Sequence, residues 1–135
     1  MSAAQDLRFA GYAAVFDTPD ADRDTIRAGA FAETLANRRE PVPLLWQHRP
    51  DSVIGAVEFA AEDEHGLRII ARITRPNSRA AAMLRDGAVS GLSFGYRARK
   101  ARRTDKGREL IGIDLFEVSL VTQPLQHTAR VHFVG

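Results

Sequence analysis

Apolar and polar residues alternate with a period of two through most of this chain, the pattern of half-buried strands. From Leu92 the phase is clean: Leu92, Phe94, Tyr96 and Ala98 fall on one face, and Ser93, Gly95, Arg97 and Arg99 on the other. Further strands are expected over Leu7–Phe16, Val42–His48, Val53–Glu62, Leu67–Thr74, Glu109–Thr122 and Ala129–Val134. Asp63-Glu64-His65-Gly66 reads as a hairpin turn between two of these, and the basic stretch Arg102–Gly107 as another. Within Glu109–Thr122 the apolar phase flips: Ile111, Ile113 and Leu115 share one face, then Phe116, Val118 and Leu120 take over in the opposite phase. A bulge near Leu115-Phe116 reconciles the two halves.

Two segments carry helical spacing instead. Ala28–Arg39 has Phe31, Ala32 and Leu35 on one stripe, and Pro41 and Pro43 prevent its continuation. Ser78 to about Arg85 turns Ala80, Ala81, Met83 and Leu84 inward, with Asn77 as the expected N-cap and Gly87 as the C-cap. Arg49-Pro50-Asp51 is expected to be a turn, leaving His48 at a strand end beside Trp46. Six to eight short strands with two helices make an α+β, β-rich, barrel-like domain.

Composition narrows the chemistry. With 135 residues, one domain over residues 1–135 is expected. Without cysteine there is no disulfide framework, thiol nucleophile or cysteine-rich metal site. No apolar run reaches membrane-spanning length, and the first residues lack the basic and apolar regions of a signal peptide, so a cytoplasmic protein without a membrane partner is expected. The net charge is only +2, although seven cations gather between Arg97 and Arg108. No aromatic residues interleave with them to stack bases, so nucleic acid is not the expected partner.

Three constellations compete for a chemical role. Gly91-Leu92-Ser93-Phe94-Gly95 matches the G-x-S-x-G elbow of α/β-hydrolases, but that motif needs a strand, a sharp turn and then a helix. Here a helix precedes the motif and strand alternation follows it, so the elbow is rejected. His48, His65, His127 and His132 lack metal-ligand spacing and are read as loop or surface residues, with no metal or cofactor expected. The third constellation is an activated serine: a hydroxyl, an imidazole to take its proton, and a third group to fix the imidazole tautomer. Ser93 has glycines two residues either side on its own face, which leaves space for a substrate backbone. His48 follows an apolar strand, and Glu117 lies on the polar face of the strand expected to pair with that of Ser93. Ser90 is the rival nucleophile, and Asp114 the rival acid.

The motifs Gly11-Tyr12-Ala13-Ala14-Val15-Phe16, Ile26–Phe31, Leu44-Leu45-Trp46-Gln47-His48, Asp63–Leu67, Gly91–Tyr96 and Leu115–Pro124 stand in an order and spacing that resembles one family. That family is the prohead (capsid maturation) proteases of tailed phages, which are similar to the herpesvirus assemblins. The resemblance implies a serine endopeptidase with an assemblin-like barrel, Ser93 as nucleophile and His48 as base. Assemblins place a second histidine on a strand with a similar Phe-x-Val pattern; this chain has Glu117 there, which implies a Ser-His-Glu triad. The implied partners are the major capsid protein with its scaffolding segment, other internal prohead proteins and the protease itself. The implied place is the assembling prohead in the cytoplasm of the bacterial host, and self-association, as a dimer or higher, is expected by similarity to assemblins. The alternative is a catalytically inactive capsid-assembly or scaffold-binding module with the same fold. Assemblins carry oxyanion-hole arginines after the last motif, whereas this chain has Gln123-Pro124-Leu125-Gln126, leaving backbone N–H groups to serve.

Overall fold

The alternation resolves into strands that converge on one long hairpin. A computed structural model describes residues 6–135. Its elements are β1 (Leu7–Val15), β2 (Asp24–Ile26), α1 (Ala32–Asn37), β3 (Pro43–Trp46), β4 (Arg49–Glu62), β5 (Gly66–Ile73), α2 (Arg79–Arg85), β6 (Gly91–Thr104), β7 (Gly107–Val121) and β8 (Val131–Val134). The strand order is β2-β7-β3-β4-β5-β1-β8, with β6 paired to the other edge of β7.

β7 is the hub because three strands use it at once. β6 runs antiparallel along almost its whole length, β2 pairs in parallel with Arg108–Leu110, and β3 pairs in parallel at Leu44↔Val118, Leu45↔Ser119 and Trp46↔Leu120. The sheet curls until the start of β6 meets the segment before β8. Leu92 N donates to Ala129 O at 2.8 Å and Val131 N to Ser90 O at 2.8 Å. Only an isolated bridge, Gly91↔Arg130, spans that seam, so the β-rich class holds while the sheet stops short of a closed barrel.

The core follows from the period-2 pattern. Along β5, Leu67, Ile69, Ala71 and Ile73 are wholly buried, and Arg68, Ile70 and Arg72 alternate toward the other face. Phe9, Phe31, Leu44, Leu92 and Leu120 join them inside the curl. Each buried large side chain favours folding by about 1.5–3 kcal/mol relative to exposure. The bulge read from the phase flip is present: Gly95 pairs with Glu117 and Tyr96 with Leu115, so Phe116 is the extra residue and is half exposed.

Three local readings are corrected. The first helix begins at Ala32 rather than Ala28, because Gly29 turns at φ 92° and the N–H groups of Gly29 and Phe31 donate to the Glu62 carboxylate at 2.7 and 2.8 Å. The α2 cap is Ser78, not Asn77, since the Ser78 hydroxyl accepts from Ala81 N. Arg49–Asp51 opens β4, and the turn before it is Gln47-His48, so His48 sits in the turn itself and not at a strand end.

Candidate active site

A two-residue type I′ connection between strands needs positive φ at both central positions, which is why Asn-Gly is favoured there. Trp46 pairs with Arg49, so Gln47 and His48 are those central residues, with φ of 51° and 61°. Neither is glycine, and left-handed backbone costs an ordinary residue about 1–2 kcal/mol. The end of β7 holds the turn in place. Gln47 N donates to Leu120 O at 2.9 Å, and the Gln47 amide accepts from Thr122 N at 3.2 Å and donates to Thr122 Oγ1 at 3.4 Å. His48 N donates to Ser119 Oγ at 3.1 Å. The imidazole is thereby fixed over β7 by a turn that the flanking ladder over-determines.

Beneath it lies Glu117. Its Oε1 is 2.6 Å from His48 Nδ1, and its Oε2 accepts from Ser119 Oγ at 2.6 Å. A carboxylate can only accept, so Nδ1 carries the proton and Nε2 keeps a free lone pair. The hydrogen bond to Glu117 holds the His48 pKa above the ordinary 6.5; burial opposes this and the charge of Glu117 reinforces it. The His48 side chain is 42% exposed and that of Glu117 13%, so the imidazole opens to solvent while its partner is enclosed.

The nucleophile candidate arrives on β6. Ser93 is the cross-strand partner of Ser119, and Gly95 that of Glu117, so these four residues share one face of the hairpin. Directly opposed residues have Cβ atoms about 4.5–5.5 Å apart, which sets Ser93 beside the residue that holds the His48 backbone. Ser93 is 7% exposed, and among the described residues its hydroxyl makes no hydrogen bond, to His48 or any other group. A catalytic hydrogen bond is often long in the free enzyme and tightens when substrate binds.

The flanking glycines do not clear space for substrate as the sequence suggested. A Cβ at Gly95 would overlap the Glu117 carboxylate, and one at Gly91 would meet Val121 O and the Pro124 ring. At Gly95 the site's own carboxylate occupies the room, and at Gly91 the end of β7 and the Pro124 ring do.

The rivals are committed elsewhere. Ser90 Oγ accepts from Arg130 Nη1 at 3.1 Å, and Asp114 pairs with Arg97 at 2.9 Å and Arg99 at 3.2 Å. Much of the basic segment is likewise neutralised, Arg99 by Glu33, Arg102 by Glu109 and Arg108 by Asp24. His65 and His132 pack against the Tyr12 ring, and His127 lies against Arg130. Ser93 stands inside β6 and α2 precedes it, so no elbow forms. Gln126 turns its amide to the Val15 N–H and C=O, at 2.8 Å each. Two contributors escaped the sequence reading, Gln47 and Ser119. A serine on an alternating face carries no mark of what it bonds; only the register of β7 against the turn reveals it.

A family model described as caudovirus prohead serine protease matches residues 1–134. The chain is 35% identical over 130 residues to the prohead protease of Enterobacteria phage HK97, covering 91% of this chain and 58% of that protein. It is 28% identical over 102 residues to the capsid polyprotein of Pseudomonas phage PAJU2, covering 67% of this chain and 15% of the relative. The chain thus spans little more than half of the first relative and a small part of the second. Among solved structures, KSHV protease in complex with a hexapeptide phosphonate inhibitor superposes with a TM-score of 0.65 at 16% identity, over 97% of this chain and 65% of the other. Varicella-zoster virus protease gives 0.65 at 18%, over 95% and 64%. At such identities the likeness establishes a shared herpesvirus-protease fold.

Proposed function

The chain belongs to the caudovirus prohead serine protease family, and from that membership we propose that it is a serine endopeptidase of capsid maturation. Ser93 Oγ attacks a peptide carbonyl while His48 Nε2 takes its proton. The tetrahedral intermediate collapses, His48 returns the proton to the leaving amine, and an acyl-enzyme forms on Ser93. Water, deprotonated by the same imidazole, then releases the acyl group. Glu117 holds the Nδ1–H tautomer and stabilises the imidazolium formed in each half-reaction. Backbone N–H groups serve as oxyanion donors.

The observation that carries this reading is the 2.6 Å contact between His48 Nδ1 and Glu117 Oε1 on the face that also bears Ser93. The substrates are the major capsid protein with its scaffolding segment, other internal prohead proteins and the chain itself. Self-association, the interior of the assembling prohead and the host cytoplasm belong to the same reading. The names of two relatives, a prohead protease and a capsid polyprotein, support a capsid substrate.

The test is co-expression with the cognate capsid precursor, read by intact mass. Wild type is expected to cleave the precursor, and Ser93→Ala to leave it whole while keeping its fold. Cleavage that survives Ser93→Ala and disappears in Ser90→Ala overturns the nucleophile assignment. A wild-type chain that binds the precursor and leaves every mass unchanged overturns the enzymatic reading in favour of an inactive assembly module.

A further inference from the structure

We propose that Ser119 is a positioning residue of this site, the link that locks the His48 turn and the Glu117 carboxylate into one unit; the proposal rests on the protease reading above. The hydrogen bonds around it converge on the Glu117 carboxylate. His48 N donates to Ser119 Oγ, Ser119 Oγ donates to Glu117 Oε2, and Glu117 Oε1 accepts from His48 Nδ1. His48 is thus tied to Glu117 twice, through its backbone N–H by way of Ser119 and directly through its ring. A hydroxyl has a single proton, and Ser119 has given it to Glu117. It therefore has none to offer Ser93, its cross-strand partner.

Ser119 is wholly buried, so no water replaces either bond directly when the hydroxyl is removed. An alanine there leaves the His48 N–H without its acceptor at a position of positive φ, and frees Glu117 Oε2 to rotate the carboxylate away from the imidazole. Glu117 is the charged group that shifts His48, so the His48 titration reads the carboxylate's placement.

The experiment is an NMR titration of His48 in Ser93→Ala and in Ser93→Ala/Ser119→Ala, where no turnover is needed. The proposal expects the His48 pKa to fall toward the ordinary 6.5, and the deshielded Nδ1–H resonance to move upfield or broaden, when Ser119 is lost. A pKa that is unchanged or higher overturns it. A carboxylate still in place without the Ser119 donor would be the stronger acceptor and would hold the imidazolium proton more tightly. If the alanine variant shows no cooperative unfolding, Ser119→Cys keeps the side chain near its size while weakening both bonds, and the same criteria apply. In the Ser93-intact chain, Ser119→Ala is expected to lower kcat by about 10- to 100-fold with KM little changed. A chain in which wild type fails to cleave while the titration responds to Ser119 defeats the protease reading alone. A chain that cleaves while the titration ignores Ser119 defeats this inference alone.

Discussion

Gly95 shows how much of the site depends on a missing atom. Its Cα faces Glu117 across the ladder, and the carboxylate crosses the strand where a side chain would otherwise stand. Gly95→Ala should push the carboxylate off His48 Nδ1 and lower kcat by about 100-fold or more, the contribution of a well-held general base. The check is steady-state cleavage of a peptide spanning a mapped precursor cut site, beside a thermal melt showing that the variant folds; wild-type kcat in a folded variant would remove Glu117 from the mechanism. The sequence displayed the glycine pair around Ser93 but not its purpose, because alternation reports faces and says nothing of what a partner strand lays upon them. His48 and Glu117 were legible for a firmer reason: each is a chemically capable residue beside a strongly apolar run. Ser119 was not, since its part is set by hydrogen bonds between segments 71 and 2 residues away.

Among the elements, β3 has four residues and carries the turn that aims the imidazole. It is held on one side by β4 and on the other by β7, and Leu44 at its centre is wholly buried against both. Leu44→Ala is expected to destabilise the protein by about 2–5 kcal/mol, seen as a lower urea midpoint at unchanged m-value. A shift below about 1 kcal/mol would mean that β3 is placed by its ladder alone. Long alternating elements such as β5 and β7 were legible because their apolar phase is regular and even records the bulge. Gln47-His48 was not, because two-residue turns are recognised by Gly or Asn and this one is imposed by bonds from β7. The first helix is shorter than its periodicity predicts because the Glu62 carboxylate captures N–H groups that periodicity assigns to a helix.

For the molecule as a whole, the raised His48 pKa sets activity and stability against each other as pH changes. In the proposed mechanism the base must be neutral, so kcat/KM should climb through an apparent pKa above 6.5, and Glu117→Gln should move that limb to lower pH while reducing kcat. The stability linkage has the opposite sign. A histidine whose folded pKa exceeds its unfolded one contributes stability that is fully present below the unfolded value and lost as pH rises through the folded value. The urea midpoint of wild type should therefore exceed that of Glu117→Gln most at about pH 5.5 and least at about pH 8. A gap that widens with rising pH would show that Glu117 supports the fold by some route other than this imidazole.

The dominance of β7 also dictates an order of events during synthesis. His48 leaves the ribosome first and Ser93 second, but the strand that unites them, and that bears Glu117 and Ser119, comes after both. Its pairing with β3 spans a long stretch of sequence, the kind of contact that forms late, whereas β6 joins it as a hairpin. A nascent chain therefore carries its hydroxyl and its imidazole without a working arrangement of the two. On the proposed protease reading, cleavage of neighbouring polypeptide, its own included, begins only once β7 docks.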